Sequence, residues 1–200
     1  MGKIIYIRHS DDEGGDCSKL QDCQLNQDGK KLAIRTGYKL IKKHGLPNII
    51  YCSPFRRTLQ TMENMLRNKD RSGIKIYKET RLSRYFSSSE KLRPNIDPNT
   101  MKADIDIHES FGEFKIRIDK FSESIEHLTE SNDVIWCITH TTVYKRLSKK
   151  YDIRLPKYIP FCHYFILDSN TEDQTLVVEK KEKKYKKKNK TWCSNCNMLH

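Results

Sequence analysis

The stretch KIIYIRHSDD, residues 3–12, decides the fold because it joins an apolar run directly to an arginine and a histidine. A continuous apolar run such as Ile4–Ile7 suits a short strand that is covered on both faces of a sheet. Arg8 and His9 then lie at the carboxyl end of that strand. Ligands bind at this end in open α/β sheets, so the pattern predicts a functional role for the pair.

Strand and helix patterns alternate over most of the remaining chain. Helical spacing covers residues 25–45, Ser53 and Pro54 form a plausible start for a second helix, and the capping box Ser110–Glu113 opens a third helix that ends near Leu128. The alternation predicts the α/β class, as a three-layer α/β/α sandwich with a mostly parallel central sheet. The further strand patterns are residues 48–53, 74–79, 133–140, 161–168 and 175–179, and a helix is predicted after His140.

Composition and charge divide the chain into a domain and a tail. We expect one catalytic domain over residues 1–178 and a flexible lysine-rich tail over 179–200. Residues 179–190 hold eight Lys and two Glu, which is half of the formal net charge of +12. No apolar run approaches the roughly 20 residues of a membrane span, and no leader pattern opens the chain. Seven cysteines, an odd number, favour reduced thiols, so an intracellular and cytoplasmic protein is expected.

Four side chains are predicted to meet at the carboxyl edge of the sheet. Arg8 and His9 follow the first strand, Arg57 follows the second, and His140 ends the strand pattern at 133–140. Arginine forks match phosphate oxygens, and a helix N-terminus adds amide donors. A neutral imidazole can attack phosphorus and form a covalent intermediate. The set therefore favours phosphoryl-transfer chemistry, with no metal or organic cofactor.

Five spaced motifs run along the chain. They are IIYIRHS (4–10), the helix marked by Leu25, Gly29, Ala33, Gly37 and Leu40, YCSPFRRTLQT (51–61), ESFGEFKIR (109–117) and VIWCITHTTVYKRL (134–147). Together they resemble the histidine phosphatase superfamily, also called phosphoglycerate mutase-like, and specifically its larger branch. The resemblance implies that fold, a phosphatase acting through a phosphohistidine on His9, and phosphate binding by Arg8, Arg57 and His140. A phosphorylated small molecule or a phosphoprotein is the implied substrate, and mutase activity is disfavoured.

Departures from the family pattern fall around the expected proton donor. Arg84 stands where the family often has a glutamate that protonates the leaving oxygen, and Ser10 replaces the usual glycine after the nucleophile. A lost general acid typically costs about 10²–10⁴ in rate. Either another carboxylate substitutes, or the substrate is a phosphoprotein or phosphoanhydride that needs no proton to leave. Arg84 is a candidate ligand for a second anionic group, and the candidate proton donors are Asp11, Asp12, Glu79 and Glu109, of which Glu109 is also a plausible helix-start residue.

Two other functions stay open on the sequence. A catalytically weak member could use the phosphate pocket to bind phosphorylated partners. The basic tail could bind nucleic acid or another anionic partner through counterion release. Cys193, Cys196 and His200 are three potential zinc ligands at the end of that tail, although a complete site needs a fourth ligand. His163 is expected to be a packed core residue, and the sequence does not define the oligomeric state.

Overall fold

The computed structural model describes residues 2–12, 23–85, 109–128 and 132–168. Strands and helices alternate along these ranges as the sequence predicts. A single turn of 3₁₀ helix, Thr80–Leu82, follows the third strand. The strands are β1 (Lys3–Arg8), β2 (Ile49–Cys52), β3 (Lys75–Lys78), β4 (Val134–Thr139) and β5 (Tyr164–Asp168), and the α-helices are α1 (Gln27–His44), α2 (Arg56–Met65), α3 (Phe111–Leu128) and α4 (Thr141–Lys150).

The five strands form one sheet in the order β3-β2-β4-β1-β5. The first four strands in that order are parallel, and β5 pairs antiparallel with β1. Strand side chains alternate between faces, so Ile5 and Ile7 pack with α1 and α2, whereas Ile4 and Tyr6 pack with α3 and α4. The predicted three-layer sandwich with a mostly parallel sheet is confirmed.

Two glycines of α1 lie where the chain passes too closely for a side chain. A Cβ at Gly29 would lie 2.0 Å from the carbonyl oxygen of Asp11, and a Cβ at Gly37 would lie 2.1 Å from that of Met65. Real Cβ atoms essentially never show such distances. The glycines therefore let α1 pack directly against α2 and against the loop that follows His9.

Helix starts agree with the sequence at α3 and disagree at α2. The Ser110 hydroxyl accepts from the amide of Glu113, whose carboxylate accepts from the amide of Ser110, so the predicted capping box is confirmed. The N-cap of α2 is Phe55, with no side-chain cap hydrogen bond. The prediction that Ser53 caps this helix is wrong, because the Ser53 hydroxyl is hydrogen-bonded to the His140 ring instead.

Cysteines divide into two groups among the described residues. Cys52, Cys137 and Cys162 are free and buried, as expected for reduced thiols. Cys23 is disulfide-bonded, which corrects that expectation at this position. The predicted strand at 175–179 and the predicted tail, with Cys193, Cys196 and His200, lie outside the described residues. Within the described ranges, no helix is both long enough and apolar enough to cross a membrane.

Candidate active site

The carboxyl ends of neighbouring strands bring the predicted side chains together. Arg8 pairs in register with Thr139, and the His9 amide donates to the Thr139 carbonyl at 2.9 Å, which places His9 beside His140. The two imidazole rings lie 5.4 Å apart, centre to centre. Arg57, at the start of α2, donates to the His140 ring. Four residues from three segments thus share one pocket.

The ring of His9 has a defined tautomer. Its Nδ1 lies 2.8 Å from the carbonyl oxygen of Ser10, and a carbonyl oxygen can only accept a hydrogen bond. Nδ1 must therefore carry the proton, and in the neutral ring Nε2 keeps the lone pair. His9 is 94% buried, with 6% of its surface exposed. An imidazole in this state presents a nucleophilic nitrogen.

His140 is held through both ring nitrogens. Nδ1 lies 3.3 Å from Nε and 3.2 Å from Nη2 of Arg57, which can only donate, so Nδ1 accepts. Nε2 must then donate to the Ser53 hydroxyl at 2.8 Å. Sequence reasoning missed Ser53 as part of the site because the Ser-Pro pair was taken as a helix cap. The edge of the His140 ring also faces Phe55, at 4.9 Å between ring centres.

Arg57 is buried, Arg8 is partly buried, and both guanidinium groups lie over aromatic rings. Arg57 is 7% exposed, and its Nε lies 3.9 Å from Oδ2 of Asp12. The Arg8 guanidinium donates to the Ile159 carbonyl and stacks 4.2 Å from the centre of the Phe161 ring. Among the described residues, the buried Nε of Arg8 has no hydrogen-bond partner. A buried donor of this kind is stabilised by an anionic ligand.

Burial and positive charge determine the protonation of the site. Burial lowers the pKa of His9 well below its usual value, and Arg57 and Arg8 lower it further. The pKa of His140 is lowered in the same way, by burial and then by Arg57, His9, Arg84 and Arg8. Both rings are therefore neutral near pH 7. The pocket holds fixed guanidinium charges next to a neutral imidazole, which is a suitable environment for a phosphoryl dianion.

The serine that replaces the usual glycine turns away from the pocket. Ser10 is fully buried, and its hydroxyl donates to the Gly29 carbonyl at 2.7 Å. Its amide donates to the Thr61 hydroxyl at 2.9 Å. The substitution thus ties the loop after His9 to α1 and α2, and it places no side chain over the His9 ring.

The candidate proton donors differ in their neighbours. Both carboxylate oxygens of Glu109 accept from the guanidinium of Arg117. Glu79 is paired in the same bidentate way with Arg81 and also caps the 3₁₀ helix. Asp11 contacts Asn26 through its backbone carbonyl. Asp12 is the candidate that the structure brings next to a pocket arginine.

Arg84 lies on the His140 side of the pocket, in a segment that is anchored on both sides. The carbonyl of Leu82 accepts from the Thr139 hydroxyl at 2.7 Å, and the amide of Tyr85 donates to the Thr142 hydroxyl at 3.2 Å. Arg117 donates to the Ser83 carbonyl at 3.3 Å. Since Thr139 and Thr142 flank His140 along the chain, the backbone of Arg84 is fixed beside that histidine.

The fold and the site together define a class of protein. A mostly parallel α/β/α sandwich presents two neutral histidines, the buried Arg57 and the partly buried Arg8 at the carboxyl edge of its sheet. Each of these groups favours a phosphoryl ligand at one place. Among the described residues, no group of three or more His, Cys, Asp or Glu side chains could hold a metal ion.

The chain belongs to the histidine phosphatase superfamily, branch 1, whose family model matches residues 4–190. A curated relative, the 2,3-bisphosphoglycerate-dependent phosphoglycerate mutase of Corynebacterium glutamicum, is 30% identical over 95 residues. That match covers 46% of this chain and 38% of the mutase, so the chain spans under half the length of this relative.

Solved structures match nearly the whole chain at low identity. YhfR of Bacillus stearothermophilus has a TM-score of 0.65 at 20% identity, covering 90% of this chain and 96% of that chain. The ecdysone phosphate phosphatase from Bombix mori, solved with tungstate, has a TM-score of 0.64 at 13% identity and covers 99% of this chain and 100% of that one. At such identities the likeness shows the fold.

Proposed function

We propose that this protein is a phosphatase that transfers a phosphoryl group from its substrate to His9 and then to water. The observation that carries the proposal is the state of His9, whose Nδ1–H donates to the Ser10 carbonyl while Nε2 keeps its lone pair in an arginine-lined pocket. Arg8 and Arg57 supply the positive charge that this step requires.

The first step is a displacement in which one bond to phosphorus forms and another breaks. The Nε2 lone pair attacks phosphorus, the N–P bond forms, the P–O bond to the leaving group breaks, and the leaving oxygen takes the electron pair. The ring becomes positive because Nδ1 keeps its proton, and the Ser10 carbonyl stabilises that charge. Arg8 and Arg57 stabilise the equatorial oxygens of the transition state, where preorganised charge usually contributes most.

The second step returns His9 to its starting state. Water attacks phosphorus, the N–P bond breaks, and the electron pair returns to Nε2. The proton that water loses passes to Asp12 or to solvent; the Asp12 carboxylate lies 3.9 Å from Nε of Arg57, which supports its assignment to this role. Splitting the transfer into two displacements is the general advantage of covalent catalysis.

Hydrolysis, rather than mutase activity, is favoured by the solved structures that share the fold and by the carboxylates near the pocket. These structures include the ecdysone phosphate phosphatase from Bombix mori. Two glutamates near the pocket are also paired with arginines, and a mutase needs an available proton donor for its alcohol leaving group.

Rapid-quench trapping tests the proposal directly. Wild type and His9→Gln are mixed with an activated aryl phosphate and analysed for protein-bound phosphate that is acid-labile and base-stable. We expect the label in wild type only, and turnover at least about a thousandfold lower in the variant. A thermal melt of His9→Gln confirms that the fold is intact. Equal labelling and equal turnover in the two proteins would contradict the proposal.

A second candidate function is a catalytically weak member that binds phosphorylated partners. The observation that favours it is the Glu109–Arg117 pair, which occupies a carboxylate that could otherwise donate a proton. Phosphate binding that is lost in Arg57→Ala, together with no turnover of any phosphoryl donor, would support this function. Turnover that depends on His9 would remove it.

A further inference from the structure

We propose that Arg84 stabilises an anionic leaving group, and that the substrate is a phosphoric anhydride, in which the transferred phosphoryl group is joined to a second phosphate. This inference rests on the proposed phosphatase function and names the substrate class of the same site. The juxtaposition that carries it is the anchored backbone of residues 82–85 beside His140.

The position of Arg84 follows from the hydrogen bonds of its neighbours. The Thr139 and Thr142 hydroxyls hold the residues on either side of it, and Arg117 holds the carbonyl of Ser83. Its positive charge also acts on the His140 ring. The arginines that act on the His9 ring are Arg57 and Arg8. Arg84 therefore borders the pocket at His140 rather than at His9.

The geometry of an in-line displacement indicates what an arginine at this position could stabilise. The nucleophile and the leaving oxygen lie on opposite sides of phosphorus in the transition state. Charge that builds up on the leaving oxygen is stabilised by a group on the side away from His9. An arginine always keeps its protons, so it cannot act as a general acid there, but its fork can bind the oxygens of a departing phosphate.

The arrangement of the carboxylates agrees with a leaving group that needs no proton. Glu109 accepts twice from Arg117, and Glu79 accepts twice from Arg81. An alcohol leaves as an alkoxide unless it is protonated, whereas a phosphate leaves as a stable anion. When the anhydride P–O bond breaks, the bridging oxygen keeps the electron pair and departs with the second phosphate. An imidazole leaving group, as in phosphohistidine, carries no anionic charge for Arg84 to stabilise.

The test compares leaving groups in matched variants. Initial rates with inorganic pyrophosphate, an activated aryl phosphate, phosphohistidine and an alkyl phosphate are measured for wild type, Arg84→Gln, Arg84→Glu and Arg67→Gln. Arg67 is an exposed arginine after α2, at the opposite end of that helix from Arg57. The Arg67→Gln substitution therefore removes the same charge at a position away from the pocket. His9→Gln reports any contaminating activity.

In wild type we expect pyrophosphate to be cleaved with a higher kcat than the alkyl phosphate and phosphohistidine. In Arg84→Gln, the ratio of the pyrophosphate kcat to the aryl phosphate kcat should fall by about 10- to 100-fold, as for the loss of a charge-assisted hydrogen bond to the leaving group. In Arg84→Glu, the pyrophosphate rate should fall. The ratio of the alkyl phosphate rate to the pyrophosphate rate should rise above the wild-type ratio, because a carboxyl group can donate a proton to the leaving alcohol. Arg67→Gln should keep the wild-type ratio.

Three results would overturn the inference while leaving the phosphatase proposal intact. These are a wild type that depends on His9 but prefers phosphohistidine or alkyl phosphates, an unchanged ratio in Arg84→Gln, and an equal fall for all donors in that variant. Absence of His9-dependent turnover with every donor would contradict the phosphatase proposal and this inference together.

Discussion

The two sides of the pocket differ in how their charged side chains are arranged. On the side that we propose for the phosphoryl group, formed by Arg8, His9, Arg57 and His140, cations lie around neutral rings, and Arg8 keeps an unsatisfied donor among the described residues. On the side that we propose for the leaving group, formed by residues 79–85 and the start of α3, Glu79 and Glu109 are each paired with an arginine. The first side is arranged to receive an anion, and the second side has its carboxylates already occupied by internal partners.

This difference suggests that the two halves of a phosphoryl-transfer site vary independently. Binding and attack at phosphorus require arginines and an imidazole in fixed positions. The leaving group determines whether a proton donor, a cation or neither is needed on the far side. A chain can therefore keep the phosphoryl side of its family while the other side changes with the substrate.

The sharpest test of the phosphoryl side is Arg57→Ala. The substitution removes a buried cation and both hydrogen bonds that hold Nδ1 of His140. We expect kcat/KM for an aryl phosphate to fall by about 10²–10³-fold, which is typical for the loss of a preorganised donor to developing charge. Steady-state kinetics measure the effect. A fall of less than about threefold would mean that Arg57 does not contact the phosphoryl group.

Stability provides the next test, on the leaving-group side. Glu109→Leu leaves the Arg117 guanidinium buried without its carboxylate, and we expect about 3 kcal/mol of destabilisation in urea unfolding. The double variant Glu109→Leu, Arg117→Leu should regain part of that loss. Glu123→Gln, which breaks an exposed pair with Lys150, is the matched control and should cost less than about 1 kcal/mol.

The double variant Glu109→Leu, Arg117→Leu also tests whether Glu109 has a structural role or a catalytic role. If Glu109 only supports the segment at residues 79–85, folded Glu109→Leu, Arg117→Leu should retain the shape of the wild-type pH–rate profile with an alkyl phosphate. Loss of the alkaline limb of that profile in the double variant would identify Glu109 as the proton donor and contradict the separation between the two sides.

A smaller effect is expected from Ser10→Gly. The substitution removes the hydrogen bond from the Ser10 hydroxyl to the Gly29 carbonyl, which should cost about 1 kcal/mol of stability. Because the Ser10 carbonyl remains, the His9 tautomer and the turnover of an aryl phosphate should be preserved. Thermal unfolding and kcat measure the two quantities. A large loss of activity at unchanged stability would show that the hydroxyl has a role in catalysis.

The pH dependence should show the smallest change. An ordinary imidazole, with a pKa of about 6.5, would be only roughly one-quarter neutral at pH 6. Since the pKa of His9 is lowered well below that value, kcat/KM with an aryl phosphate should stay within about twofold between pH 8 and pH 6. A fourfold fall over this range would contradict the lowered pKa.

The same shifts predict how stability depends on pH. His9 and His140 both have lowered pKa values in the folded chain, so the unfolded chain binds more protons as the pH falls below about 6.5. Their contribution to stability is complete above that pH and is lost as the pH falls toward the lowered values. Urea unfolding between pH 7 and pH 5 measures this loss.

The sequence predicted the layered fold and the convergence of four side chains, because both depend on local patterns. Apolar runs define β1 and β4, and the residues after such runs lie at one edge of a parallel sheet. The start of α2 was predicted wrongly because Ser53 has two possible partners. Its hydroxyl could cap a helix or bind a ring 87 positions away, and only the tertiary structure decides between them.

The ion-pair partner of the Glu109 carboxylate also could not be predicted from the sequence. Glu109 and Arg117 are eight residues apart, about two helical turns, and Arg117 additionally reaches the carbonyls of the segment before Tyr85. Such contacts depend on how α3 packs on the 3₁₀ turn. The sequence could identify Glu109 as a helix-start residue and a candidate acid, but it could not distinguish between an ion pair and a proton donor.

The separation of the two pocket histidines is inherited from the backbone. His9 and His140 directly follow paired residues of neighbouring parallel strands, and their rings are 5.4 Å apart, close to the spacing of about 4.8 Å between strands. The distance between the His9 and His140 rings is therefore set by the spacing of the strands in the sheet. Loops around the pocket can lengthen, shorten or exchange side chains during evolution without changing the distance between the two rings.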